Sequence, residues 1–282
     1  MTIGERFREI RKQRKCSIAK LGDVAGSKSS ISAFENNDSF ITIDTLLKYM
    51  DELMITPEEL LDSSLYERNN TVVDIMKDSA IAYEMRDAEK LESYAIKFER
   101  LYKDTKRYIY YIFSLNISLL SAEIDNSRMD EKKKQEMLDY FFSIRRWTIL
   151  DIGLWGNVAN HYNDEVVFLL ALEILREISK YPQSGRERIC LDSCLNSLFT
   201  LLSHHNQEYS GKLIERISEF SLPNHYLYQS IYFNLCKAMY AYRWGDRKIA
   251  LAEKRKILLV IKNTFSDKEA ASWNADFKKI MK

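Results

Sequence analysis

Apolar positions along the chain recur three and four residues apart, the spacing that gathers side chains onto one face of an α-helix. Five short helices are predicted within the first 62 residues. Ile3, Phe7 and Ile10 form one stripe, with Arg6, Arg8, Arg11, Lys12, Arg14 and Lys15 around it. Ser17 caps a second helix carrying Ile18, Leu21 and Val24. Beyond Gly26, a residue suited to a turn, Ser27 caps a third helix reaching about Glu35. A fourth repeats Ile43, Leu46, Leu47, Met50 and Leu53 behind Thr42 or Asp44. The fifth has the clearest start: Thr56 as N-cap, Pro57 at the first helical position, Glu59 closing a capping box and Ile55 stapling Leu60.

From Thr71 the pattern continues helix after helix, with predicted spans 71 to 85, 87 to 103, 105 to 125, 130 to 144, 147 to 161, 164 to 180, 185 to 204, 207 to 221, 225 to 243, 246 to 264 and 267 to 280. Asp87, Asp104-Thr105, Asn126-Ser127, Pro182 to Gly185, Leu222-Pro223-Asn224 and Gly245-Asp246 punctuate them. Ser266 and Glu269 suggest a capping box on the last helix. Helix pairs joined by short turns predict a stacked αα solenoid rather than a compact bundle. The expected fold class is therefore all-α: an N-terminal helix-turn-helix domain over residues 1–65, a linker over 66–70, and a TPR-like αα-repeat solenoid over 71–282.

A period supports the solenoid. Asn116, Asn157, Asn196 and Asn234 lie 41, 39 and 38 residues apart, each inside an otherwise apolar helix. If the repeats stack in register, these amides line one wall of a groove. A carboxamide is both donor and acceptor, so a row of them can hold the backbone of an extended peptide whatever its side chains. Equally, each Asn can cap a neighbouring turn or bond a carbonyl within the solenoid. Tyrosine is frequent at seventeen, and many aromatics gather in or beside the Asn-bearing helices. Most belong to the core, while a few, Tyr228 and Tyr232 among them, are candidates for the wall of an apolar pocket.

Composition narrows the function. At 282 residues the chain suits one small and one large domain, and its eight Gly and three Pro fit brief turns. The charged N-terminal stretch has no apolar run of a signal peptide, which predicts a cytoplasmic protein. The longest apolar run, Tyr108 to Leu120, falls short of the ~20 residues a spanning helix needs and reads as a buried helix, so no membrane association is expected. Net charge is +1, yet residues 1 to 35 carry +4 and the remainder −3, as expected when one end meets phosphate. Cys190 and Cys194 share a helix face, but no further ligands complete a metal site. There is no Gly-rich phosphate loop, no GxSxG and no HExxH, and only four His. Neither an enzyme nor a cofactor is expected.

Two short helices about a Gly-containing turn, followed by more helices with apolar faces, suit a helix-turn-helix module. Its third helix would enter the major groove of operator DNA. Ile31 and Phe34 face the core, which turns Ser29, Ser32 and Ala33 towards base edges. Lys28 and the helix start at Ser17 sit where phosphate contacts belong. Asn36, at the end of the third helix, joins this DNA-binding set.

Ser17-Ile18-Ala19-Lys20-Leu21 and Ser27-Lys28-Ser29-Ser30-Ile31-Ser32-Ala33-Phe34-Glu35 resemble the Xre-type repressor pattern. That resemblance implies an ion pair between Arg11 and Glu35. It also implies a glycine after the Glu, where this chain has Asn36-Asn37, and Asn tolerates the left-handed backbone. Phe141-Phe142-Ser143-Ile144-Arg145-Arg146-Trp147, continuing through Asp151 and Trp155 to Asn157, is similar to an internal pattern of the Rgg/GadR/MutR regulators. Asp151 stands where that family commonly has Glu, and Leu150 replaces an aromatic.

This second resemblance implies a homodimer whose repeat domain binds a short hydrophobic signalling peptide, altering how the N-terminal domains engage DNA. Arg145 or Arg146 would meet a peptide carboxylate, and Trp147, Asp151 and Trp155 join Asn116, Asn157, Asn196, Asn234, Tyr228 and Tyr232 as candidate peptide contacts. The alternative is a helix-turn-helix regulator whose repeat domain only dimerises and binds partner proteins, RNA polymerase being one candidate.

Overall fold

A computed structural model describes residues 2–61, 70–125, 130–180, 186–220 and 226–281. All regular structure among them is helical. The helices are α1 (Ile3–Gln13), α2 (Ile18–Val24), α3 (Lys28–Glu35), α4 (Ile43–Leu53), α5 (Pro57–Leu60), α6 (Asn70–Glu84), α7 (Ala88–Thr105) and α8 (Tyr108–Asp125). They continue with α9 (Glu131–Ser143), α10 (Ile149–Val158), α11 (Asp164–Lys180), α12 (Glu187–Ser203), α13 (Gln207–Ser218), α14 (Leu227–Trp244), α15 (Arg247–Thr264) and α16 (Asp267–Met281). A 3-10 turn, Ala159–His161, follows α10.

The chain divides into two compact units, Met1–Lys77 and Asp78–Lys282. The boundary expected at residue 65 and the linker lie outside the described residues, apart from Asn70, which begins α6. The turns expected at Asn126-Ser127, Pro182 to Gly185 and Leu222 to Asn224 also lie outside them.

In the first unit, side chains supply what the helix starts lack. The hydroxyls of Ser17, Ser27, Thr42 and Thr56 accept the amides of Lys20, Ser30, Thr45 and Glu59. Glu59 returns the bond to Thr56, and Thr2 and Glu5 form a second capping box on α1. Phe7, Leu21, Ile31, Phe34, Tyr49, Met50, Leu53 and Leu60 form one core. The Phe7 ring lies 5.6 Å from Phe34 and 6.0 Å from Tyr49. Three expected core positions differ from the pattern. Val24 is exposed, and on α4 Ile43 and Leu47 stand one turn apart on a flank while Leu46, Met50 and Leu53 face inward.

In the second unit, α8, α10, α12, α14 and α16 pack successively against one another, while α7, α11 and α13 lie behind them and α15 packs on α14 and α16. This is a two-layer αα stack. Its sharp turns use few glycines because Arg86, Lys106 and His205 themselves adopt the left-handed backbone, with φ of 55°, 58° and 59°. α8 is buried along most of its length, and among the described residues no helix is long and apolar enough to cross a membrane.

Candidate functional site

Two regions carry the expected side chains. In the first unit the α2 to α3 turn is fixed from behind. Gly26 has φ of +74°, and a Cβ there would stand 2.9 Å from the Tyr49 hydroxyl, which itself donates to the Ala25 carbonyl. Only glycine meets both demands. Burial pushes the Tyr49 hydroxyl above its ordinary range, so it remains a donor. At the other end of α3, Glu35 accepts Arg11 Nε at 2.5 Å and Nη2 at 2.8 Å, and Arg11 Nη1 donates to the Cys16 carbonyl at 2.7 Å. Both side chains are buried. Asn37, with φ of 64°, is the residue that takes the left-handed turn, and Asn36 stays right-handed. At the crossing of α1 and α3 a Cβ on Gly4 would meet the Phe34 carbonyl at 2.1 Å, so glycine allows the two backbones to touch.

These supports present α3 with Lys28 and Ser29 exposed and Ser32 and Ala33 half-buried. Ser17 is exposed at the start of α2, its hydroxyl accepting the Lys20 amide at 3.0 Å. Ser29 Oγ lies 2.8 Å from Ser27 Oγ, and Asn36 accepts Arg8. The Ser32 hydroxyl has no hydrogen bond among the described residues.

In the second unit the four period-related Asn residues do fall on the successive helices α8, α10, α12 and α14. Three of them form a ladder. Asn116, 2 % exposed, donates to the Leu154 carbonyl at 2.8 Å and accepts Asn157 Nδ2 at 3.3 Å. Asn196 Nδ2 donates to the Gly156 carbonyl at 3.2 Å. Asn116 is therefore an internal strut. Asn157, Asn196 and Asn234 remain exposed, and Asn234 makes no hydrogen bond among the described residues.

The sequence grouped Trp147, Asp151 and Trp155 with these, but the structure turns all three inward. Trp147 is 2 % exposed and stacked 6.1 Å from Phe141. Trp155 is fully buried between Phe141 and Tyr162, with its indole N–H on Ser197 Oγ at 3.3 Å. Asp151 closes the capping box of α10 with Thr148 and also accepts the Tyr140 hydroxyl. They hold the stack together and are not on its surface. Arg145 is exposed in the α9 to α10 connection.

A cleft of about 680 Å³ opens between α12, α14 and α16. Asn196, Tyr228 and Tyr232 line it, together with Arg188, Asp192, Leu195, Leu227, Gln229, Glu269, Ser272, Trp273 and Asp276. The Tyr228 hydroxyl and the Trp273 indole both donate to Glu269 Oε1, at 3.2 and 2.9 Å. Glu269 is thus diverted from the expected capping box, of which only the bond from its amide to Ser266 Oγ forms, at 3.0 Å. Burial, and then the Glu269 carboxylate, raise the Tyr228 hydroxyl above its ordinary value. The α16 contribution escaped the sequence reading, although Glu269, Trp273 and Asp276 stand at i, i+4 and i+7 on one face.

The family model for the C-terminal domain of the HTH-type transcriptional regulator Rgg matches residues 90–274, and a helix-turn-helix domain model matches residues 4–63. The chain belongs to the Rgg family. Its family and fold are those of transcriptional regulators. The Streptococcus dysgalactiae SHP pheromone receptor Rgg2 is 22 % identical, with 99 % of each chain covered and a TM-score of 0.78. A putative transcriptional regulator from Listeria monocytogenes EGD-e is 15 % identical at the same TM-score, over 99 % of this Rgg-family chain and 97 % of the other. PrgX in its complex with cCF10 is 17 % identical, with 99 % and 92 % covered and a TM-score of 0.70. At such identities the likeness is one of fold.

Proposed function

We propose that this Rgg-family chain reads duplex DNA through α3 and is set by a short peptide held on the α10, α12 and α14 layer and in the cleft beside it. On the DNA side, Lys28 and the start of α2 at Ser17 meet phosphate, and Ser29, Ser32 and Ala33 face base edges. Asn36, tied to Arg8, anchors the end of α3. The peptide reading rests on one observation: exposed amides of Asn157, Asn196 and Asn234 repeat along α10, α12 and α14 of one layer, and Asn196 also lines a cleft whose walls mix aromatic, apolar and polar side chains. Backbone pairing by the amides and side-chain burial in the cleft are complementary ways to hold an extended chain. The fold shared with a pheromone receptor and with PrgX in complex with cCF10 points the same way. Arg145, exposed and cationic, suits a ligand carboxylate.

The functional species is a homodimer, which gives two copies of α3 for two operator half-sites. Ile249 and Val260 of α15 support it: they lie three turns apart on one face and are 61 % and 44 % exposed. The test begins with duplexes selected from a random pool by the full chain. Peptides eluted from protein purified out of its own cells should shift the affinity for the selected duplex. The Asn196→Ala, Asn234→Ala double variant should bind that duplex without responding to the peptides. An equal response in the double variant rejects the amide wall. Failure to select any duplex rejects the DNA-reading assignment.

A further inference from the structure

The hydrogen-bonding capacity around the cleft is one-sided. Four of its side-chain donors are turned onto the protein, Asn196 Nδ2 to the Gly156 carbonyl, Gln229 Nε2 to Asp192 at 2.8 Å, and Tyr228 and Trp273 to Glu269 Oε1, while the Tyr232 and Ser272 hydroxyls can each donate or accept. What these bonds leave over is largely acceptors. Gln229 is 6 % exposed, and its Oε1 has no partner among the described residues. Glu269 keeps a second oxygen. Asp276 meets Lys279 through Oδ1 at 3.1 Å, which leaves Oδ2. Arg188, the cation in the lining, is 72 % exposed and pairs along its own helix with Asp192 at 3.9 Å. Aromatic faces complete the enclosure, the Trp273 ring lying 5.2 Å from Tyr228 and 5.0 Å from Tyr232.

We propose that the cleft recognises a positively charged nitrogen of the peptide, seated against the Tyr232 and Trp273 rings and bonded by Gln229, Glu269 and Asp276. This rests on the reading of the cleft as a peptide site. Ring faces attract cations electrostatically, and the attraction grows when water is excluded. Three free acceptors match the three N–H groups of an ammonium, or one edge of a guanidinium. A carboxylate or carbonyl in the same place would set acceptor against acceptor. The nitrogen is either the free amino terminus or a Lys or Arg side chain.

Two pools of random hexapeptide amides test this, one with a free α-amino group and one N-acetylated, each affinity-selected on the full chain and read by mass spectrometry. Retention in the cleft is defined by loss on Tyr232→Ala. A side-chain source enriches Lys and Arg about fivefold in the acetylated pool, and a terminal source retains the free-amino pool without that enrichment. In E269Q/D276N, which keeps an amide oxygen for Tyr228 and Trp273, either preference should fall to the level of the input pool. A thermal melt of the variant establishes that it folds. Cleft-retained peptides with no cationic preference, or a preference unchanged in E269Q/D276N, overturn the proposal and leave the peptide site standing. If Tyr232→Ala retains the same peptides as the parent, or neither pool is retained at all, the peptide site itself falls and this inference with it.

Discussion

Glu35→Ala should destabilise the DNA-reading unit without touching its surface. The carboxylate is 2 % exposed and takes two bonds from Arg11, itself 7 % exposed. Its removal leaves a guanidinium enclosed by protein with the Cys16 carbonyl alone for company. Arg8, 3.4 Å from Glu35, is one-third exposed and keeps its water, so its loss counts for little. Breaking a buried pair on one side costs about 3–5 kcal/mol. A unit of this size is stable by roughly 4–12 kcal/mol, so the variant loses a quarter or more of what holds it. At about 1.4 kcal/mol per decade, amides in α1 and α3 should exchange with deuterium roughly 150-fold to 4,000-fold faster in the full chain. The paired replacement Arg11→Met with Glu35→Leu removes both charges and fills the space, and should recover most of the protection. Amides of Glu35→Ala that exchange within about threefold of the parent would refute the reasoning.

Other substitutions test other elements. Lys28→Ala should weaken binding to every duplex and lower the slope of log affinity against log salt by about one; an unchanged slope removes Lys28 from the phosphate contacts. Gly4→Ala drives a Cβ into the Phe34 carbonyl and should abolish duplex binding, while melting of the second unit stays within a degree or two; normal binding would show that the α1 to α3 crossing can open. Burial raises the Cys190 thiol from 9.0 to about 12 and the Tyr83 hydroxyl from 10.0 to about 12, with Glu123 adding to the latter. The folded state therefore holds these protons more tightly than the unfolded one. That stability is fully present below pH 9 and is lost as pH rises from 9 towards 12. The urea midpoint should fall across that window, and a flat profile would contradict it. The same burial keeps Cys190 as a thiol, so iodoacetamide at pH 8 should label it in urea and not in the native chain.

Helix order and boundaries were legible because caps and periodicity are local. Thr56, Pro57 and Glu59 announce α5 by themselves, and the spans from α6 to α16 needed no long-range knowledge. The buried Arg11 to Glu35 pair was also legible, through the pattern that carried the resemblance. Packing between helices was harder to read. Periodicity assigned Ile43 and Leu47 to a core that Leu46, Tyr49, Met50 and Leu53 of the same helix already fill. Trp147 and Trp155 looked like ligand contacts because aromatic side chains serve both roles, and only their burial against Phe141 decides between them. The Asn period correctly found one helix layer, but it could not separate the strut Asn116 from the exposed Asn157, Asn196 and Asn234. The cleft depended on α16 folding back beside α12 and α14, a contact between residues some eighty positions apart in the chain. For that reason Glu269 read as a cap rather than as the acceptor shared by Tyr228 and Trp273.

The bond from Asn196 to the Gly156 carbonyl makes two neighbouring helices share one donor. Any visiting chain that claims this amide hydrogen strands the Gly156 oxygen, and Gly156 already sits so close to Ser193 that an added carbon would come within 3.3 Å of its hydroxyl. A ligand amide at Asn196 would therefore be felt first at the seam between α10 and α12, where that one bond ties the two helices together.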